Sequence, residues 1–224
     1  MHLLADAGFY QGAVADLGYG SGILARLLND AGYEVLGTDI SPAMVALARQ
    51  QAPAATIMEG SLLDAELPAG TVAVTAIGEG LKYATDQRAG LDALVELASR
   101  AVRALEPGGV FLFDVAGPGR NGGAGPVRQV FHDEPGWCLG MRATESGDGT
   151  RLDRAVTIFT QVDGDSYRRT DEHHVLRLYE PDAVLSVLSA AGLEGQALPA
   201  YGEAVTRSTP ASGWSVFMAR KAGG

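Results

Sequence analysis

Along the chain, short unbroken apolar blocks alternate with longer stretches in which apolar residues return every third or fourth position. That is the pattern of strands alternating with helices. The first block, residues 13–17, is followed by Ile23, Leu24, Leu27 and Leu28 at helical spacing, a helix over 22–31 that Gly32 ends. A second strand over 34–38 precedes Ser41-Pro42, an N-cap and a first-turn proline that open another helix. Strands over 55–59 and 71–77 follow. The latter is almost wholly apolar and β-branched, as expected of a strand covered on both faces. Leu91, Leu94, Val95, Ala98, Val102 and Leu105 form one stripe of a helix over 86–105, and after Glu106-Pro107-Gly108-Gly109 comes a fifth strand over 110–114.

The pattern then changes. A glycine and proline stretch, 117–125, leads into three long segments, 137–145, 151–162 and 166–179, that read as antiparallel strands joined by the turns at Ser146-Gly-Asp-Gly and Asp163-Gly-Asp-Ser. They form a β extension, bounded as 126–179, inserted after the fifth strand. A helix from Glu180-Pro181 to residue 191 and strands over 195–200 and 213–220 complete one α/β domain spanning 1–224.

Composition narrows the role. The 224 residues suit one domain, long enough to bury about 70% of the surface the unfolded chain exposes. The net charge of −10 repels phosphate backbones, which argues against nucleic acid as partner. Residues 120–178 hold 8 arginines and 9 acids, so the remainder, with 9 basic and 18 acidic residues, carries nearly all the surplus. The lone Cys138 excludes an internal disulfide. No apolar run long enough for a membrane span occurs, and the first residues lack the blocks of a signal peptide, so a cytoplasmic protein without a membrane partner is expected. No cluster has metal-ligand spacing, so no metal is expected.

The chemistry concentrates where the first strand reverses into its helix, Asp16-Leu-Gly18-Tyr19-Gly20-Ser-Gly22. Glycines there supply positive φ and let a ligand approach bare backbone. About twenty residues on, Asp39 ends the second strand, where a carboxylate takes both hydroxyls of a ribose. A dinucleotide fingerprint would put its third glycine at position 23, which is Ile23. The spacing Asp16-x-Gly18-x-Gly20-x-Gly22, with Asp39 and with the Pro107-Gly108-Gly109 turn ninety residues later, resembles instead the class I S-adenosylmethionine-dependent methyltransferases of small-molecule type.

The resemblance implies a Rossmann-like, mostly parallel seven-stranded sheet of order 3-2-1-4-5-7-6, the seventh strand antiparallel, with helices on both faces. It implies S-adenosyl-L-methionine as cofactor, held by Asp16, Gly18, Tyr19, Gly20, Gly22 and Asp39, with Ile40 and Met44 against the adenine; Met44 taken alone also suits a core position. Gly60, Ser61 and Leu62 are implied at the adenine amino group, Ser61 standing where the family often has an acid, and Ile77 and Gly78 close the site. Members of the family usually carry N-terminal helices over the cofactor. Here only about a dozen residues precede the first strand, so that cover is lacking or shortened.

Gly78-Glu79-Gly80-Leu81-Lys82-Tyr83 follows the fourth strand, at the crevice between cofactor and acceptor. Lys82 stands where the family commonly has asparagine and is a substrate-side candidate. Tyr83 reads either as a catalytic, substrate-orienting phenol or as a half-buried aromatic. Asp114 orients a substrate amine or caps a loop. Within Thr170-Asp-Glu-His-His-Val-Leu-Arg-Leu-Tyr179, alternation puts Glu172, His174, Leu176 and Leu178 on one face and His173, Val175 and Arg177 on the other. Because leucines share its face, His174 rather than His173 is the candidate catalytic imidazole, against an idle, hydrogen-bonded one. Arg177 pairs either a substrate carboxylate or a neighbouring glutamate. The implied function is methylation of an oxygen or nitrogen of a small-molecule acceptor, with a homodimer left open; the alternative is a methyltransferase-like module that holds S-adenosylmethionine without transferring methyl.

Overall fold

The computed structural model describes residues 2–82, 86, 88–122, 127–198, 201 and 213–223. The apolar block at its centre is β1 (Gly12–Leu17), flanked in parallel by β2 (Tyr33–Asp39) and β4 (Thr71–Ala76). Every residue of β4 is buried, as its uninterrupted apolar pattern demands. Outside them lie β3 (Thr56–Glu59) and β5 (Leu105–Ala116), also parallel, then the antiparallel pair β11 (Trp214–Lys221) and β10 (Leu193–Leu198). The resulting order, β3-β2-β1-β4-β5-β11-β10, is the one the sequence resemblance implies.

Two apolar layers hold this sheet. On β5, Phe111, Phe113 and Val115 face one layer and Val110 and Leu112 the other, because successive strand side chains point to opposite faces. Phe111, Phe113 and Phe217 stack, with ring centroids 4.6 and 5.3 Å apart, under α4 (Leu91–Ala104) and α5 (Pro181–Ala190). The opposite layer joins Val14, Val35 and Met218 to Leu28 of α2 (Ile23–Asp30). Leu4 of a short helix, α1 (His2–Asp6), enters it too, an element the sequence pattern did not signal. Helix α3 (Pro42–Gln51) buries Val45 and Ala48, and Ser41 caps it by accepting the Met44 amide.

Two boundaries differ from expectation. Helix α4 starts at Leu91 rather than residue 86, because Gly90 is fully extended and the Asp86 carboxylate instead accepts the Arg88 amide to form a turn. Strand β5 starts at Leu105, before the Pro-Gly-Gly turn. Thr71 pairs with Leu105 and Ala73 with Val110, so the turn is a bulge inside the strand, with Gly108 at φ 79°.

The extension is a separate four-stranded antiparallel sheet, β6 (Arg128–Glu134), β7 (Trp137–Glu145), β8 (Arg151–Asp163) and β9 (Ser166–Arg177), in that order. β6 is additional to the three strands the pattern suggested; six of its seven residues are exposed, so no apolar alternation marks it. A small cluster of Ala116, Ala143, Leu152, Leu176 and Leu178 roots the extension on the main sheet. At that root the Tyr179 amide donates to the Ala116 carbonyl (3.1 Å), and a Cβ on Gly117 would lie 2.7 Å from the Tyr179 oxygen. Among the described residues no helix is long and apolar enough to cross a membrane.

Candidate active site

The turn after β1 holds Gly18, Gly20 and Gly22 at φ 67°, 58° and 84°, a left-handed alternation that side chains disfavour. The three have different tasks. A Cβ on Gly20 would meet nothing within 4 Å, so its backbone faces open space; a Cβ on Gly22 would come within 2.9 Å of Ala48, so this glycine lets the turn pack on α3. Gly18 donates to the Thr38 carbonyl at 2.7 Å. Tyr19 lies over Gly37 against Val45 and Ala48, and burial together with the Asp39 carboxylate pushes its phenol up to about 12.

Asp39 ties three segments together. One carboxylate oxygen accepts the Gly20 amide at 2.9 Å and the other the Ser41 amide at 2.8 Å. Each retains a lone pair, and the residue lines a cleft of about 440 Å³ with Gly18, Gly20, Ile40 and Met44. Ile40 and Met44 are 47% and 38% exposed, so Met44 borders the cleft instead of filling the core. Beneath the turn, Asp16 is 1% exposed. One of its oxygens accepts the Thr75 hydroxyl at 2.7 Å, and the other has no partner among the described residues. Burial lifts its pKa to about 6, against the opposing Thr75 hydrogen bond.

Beyond β3, Gly60 donates its amide to the Asp39 carbonyl at 2.9 Å, and Ser61 and Leu62 border the cleft. The Ser61 hydroxyl donates to Asp86 at 2.5 Å. Arg88 also donates to Asp86 and grips Asp64 through both terminal nitrogens, at 2.9 and 2.8 Å. Hydrogen bonds from Arg88 and Ser61 hold the Asp86 carboxyl well below the usual carboxylate range. Asp86, unassigned in the sequence, is therefore an ionised group on the cleft wall.

The floor is the loop after β4. Ile77 is half-buried against the β5 layer, and Gly78 and Gly80 line the cleft. Asp114 is 2% exposed: its oxygens accept the amides of Gly78 (3.0 Å) and Glu79 and the Tyr201 hydroxyl (2.6 Å), so it caps this loop. Lys82 ends a short 3-10 turn, Gly80–Lys82; its side chain and all of Tyr83 lie outside the described residues.

From the extension, β9 brings His174 and Glu172 into the same cleft. Their side chains meet at 2.9 Å between Nε2 and a carboxylate oxygen, with His174 31% exposed. His173 lies on the opposite face, 3.5 Å from Asp153 and 63% exposed. Arg177 shares that face, and a guanidinium nitrogen stands 3.3 Å from the Cβ position of Gly90, at the head of α4. The structure thus gathers Gly18, Gly20, Asp39, Ile40, Met44, Ser61, Leu62, Gly78 and His174 around one cleft, with Asp16 and Tyr19 packed behind the turn. A second hollow, about 780 Å³, lies between residues 63–69 and α4, where Arg100 donates to the Leu63 and Ala65 carbonyls. Among the described residues, no group of three His, Cys, Asp or Glu side chains is arranged to hold a metal ion.

Residues 14–109 match the methyltransferase domain family. In structure the chain resembles an S-adenosylmethionine-dependent methyltransferase from Clostridium acetobutylicum ATCC 824, at 16% identity and a TM-score of 0.80 over 99% of this chain and 89% of that one. It also resembles the S-adenosylmethionine-bound amino pentose methyltransferase CalS10 from Micromonospora echinaspora, involved in calicheamicin biosynthesis (20%, 0.74, 98% and 87%). A third likeness is the sugar N-methyltransferase KedS8 from Streptoalloteichus sp. ATCC 53650 (18%, 0.75, 99% and 84%). No curated protein matches the chain in sequence. Over nearly its whole length the chain has the fold seen in these solved methyltransferase structures, and residues 14–109 are the part that matches the methyltransferase domain family in sequence.

Sequence reasoning offered Glu172 only as a partner for Arg177, whereas it pairs with His174, and passed over Asp86, Glu79, Arg120 and Arg154. For Arg154 there was a signal: alternation puts it with Leu152 and Val156, a charge on a buried face.

Proposed function

We propose that the chain methylates an oxygen or nitrogen of a small-molecule metabolite, using S-adenosylmethionine, with His174 as the base and Glu172 as its orienting partner. The observation that carries this reading is that the Glu172–His174 pair borders the same cleft as the glycine turn and Asp39.

The cleft suits the cofactor. The open backbone at Gly20 and the remaining lone pairs of Asp39 suit a nucleoside that carries an amino-acid arm, and Ile40 and Met44 offer apolar surface for its base. Bound there, S-adenosylmethionine supplies an electrophilic methyl carbon on a sulfonium. Asp39 would hold the ribose hydroxyls, and Ser61 and Asp86 would meet the adenine amino group. Most acceleration comes from holding the nucleophile in line at about 3 Å. An amine or hydroxyl must also lose a proton. In the tautomer that donates Nε2–H to Glu172, His174 Nδ1 carries the lone pair that accepts it. Support for a small acceptor comes from the sugar substrates of the structural relatives.

The test is incubation with methyl-labelled S-adenosylmethionine and a metabolite extract, alongside calorimetry with S-adenosylhomocysteine. A labelled low-mass product is expected. Tight binding with no label above background would leave a binding module and overturn the reading.

A further inference from the structure

Between the two cleft-lining glycines of the floor, Glu79 stands at φ 65°, the one described residue other than glycine with positive φ. A side chain in this conformation is strained and persists where surroundings fix it. Among the described residues, three partners do so. Asp114 accepts its amide, Arg120 Nε donates to one carboxylate oxygen at 3.0 Å, and a terminal nitrogen of Arg154 donates to the other at 3.0 Å.

Glu79 thereby holds two guanidinium groups side by side, one from the loop after β5 and one from β8. Arg154 is the cross-strand partner of His174, which borders the cleft, and Glu79 sits between the cleft-lining Gly78 and Gly80, so the pair is held next to the cleft. Their side chains are only 25% and 15% exposed. Each makes a single bond to a described residue, leaving several N–H donors per guanidinium without a protein acceptor among those residues. The other nearby acids do not supply one: Glu145 accepts the amides of Gly119 and Asn121, and Asp114 is taken by the floor amides and Tyr201. A planar donor fork beside a second cation suits a carboxylate best.

We propose that Arg154 and Arg120, held on Glu79, form a carboxylate-binding site next to the cleft, beside His174 and the floor glycines. The inference rests on the cofactor reading above. A carboxylate reaches this point from one of two sources, the amino-acid end of the cofactor or an acid group on the acceptor.

Calorimetry on the full chain separates them. The ligands are S-adenosylhomocysteine, 5′-methylthioadenosine, which keeps the nucleoside and sulfur but lacks the amino-acid carboxylate, and succinate added to protein saturated with S-adenosylhomocysteine. Wild type is compared with the double variant Arg120→Gln, Arg154→Gln. If the site takes the cofactor, the variant loses at least tenfold in affinity for S-adenosylhomocysteine and none for methylthioadenosine. If it takes the acceptor, both nucleosides bind unchanged and the succinate binding of wild type disappears. Equal weakening of both nucleosides, or no change with any ligand, overturns the proposal. Should the double variant not fold, Arg154→Lys, which keeps the charge and loses the fork, is expected to show the same split at smaller size. Failure of wild type to bind methylthioadenosine would sink the cofactor reading itself, whatever the arginines do.

Discussion

The two sheets of this molecule present their chemistry by different means. On the seven-stranded sheet the site is largely backbone: three glycines in left-handed conformation, two amides gathered by Asp39, and a floor loop capped by Asp114. On the four-stranded sheet it is side chains, Arg154, Glu172 and His174, brought to one face by alternation. The difference is one of tolerance. A turn is fixed by its own residues, whereas a strand that slips by one position exchanges His174 for His173 and turns its chemistry outward.

The largest effect that sharpens this contrast is expected on the extension. His174→Ala should lower turnover by about 10²–10⁴-fold, the usual contribution of a positioned base, and leave S-adenosylhomocysteine affinity as in wild type. Label transfer and calorimetry on the same preparation check both halves; an unchanged rate at neutral pH would remove His174 from the mechanism. On the other sheet, Asp39→Ala should leave the Gly20 and Ser41 amides without acceptors and cost roughly a hundredfold in S-adenosylhomocysteine affinity. Retained affinity would break the assignment of that carboxylate.

Asp16 gives a smaller effect, read in stability. Its carboxyl rises from 3.8 to about 6 on burial. A carboxyl raised by folding binds its proton more tightly in the native state, so its stabilising contribution is complete below pH 3.8 and is lost as pH climbs through 6. At pH 7 the buried charge costs up to roughly 3 kcal/mol. Asp16→Asn should therefore resist urea better than wild type at pH 7, with the advantage vanishing near pH 4. The smallest effect belongs to His173→Ala, which should change stability by less than about 0.5 kcal/mol and turnover not at all. A large loss there would reverse the assignment of the two faces of β9.

Much of the first sheet was legible because its signals are local. The turn from Asp16 to Gly22, the cap at Ser41 and the unbroken apolar pattern of β4 each state a backbone conformation within a few residues. The extension was legible only where apolar residues alternate; β6, with the sequence Arg-Gln-Val-Phe-His-Asp-Glu, declares itself only by pairing with β7. Glu79 and Asp86 escaped for a related reason. Their partners, Arg120, Arg154 and Ser61, are between 25 and 75 positions away, a distance over which sequence spacing says nothing. The glycine triplet also hid a division of labour, since only the structure shows that Gly22 serves packing and Gly20 serves the open cleft.

The hydrogen bond from the Tyr179 amide to the Ala116 carbonyl marks a single doorway through which residues 117–178 leave the core and come back. Whatever is hung on that doorway faces the same floor loop, so exchanging the hung module alone changes which side chains meet the cleft. The engineer's version is a graft: a foreign antiparallel module cut at these two positions must fit that peptide pairing and Gly117, and must bring its own counterparts of Arg120, Arg154, Glu172 and His174, because all four leave with residues 117–178.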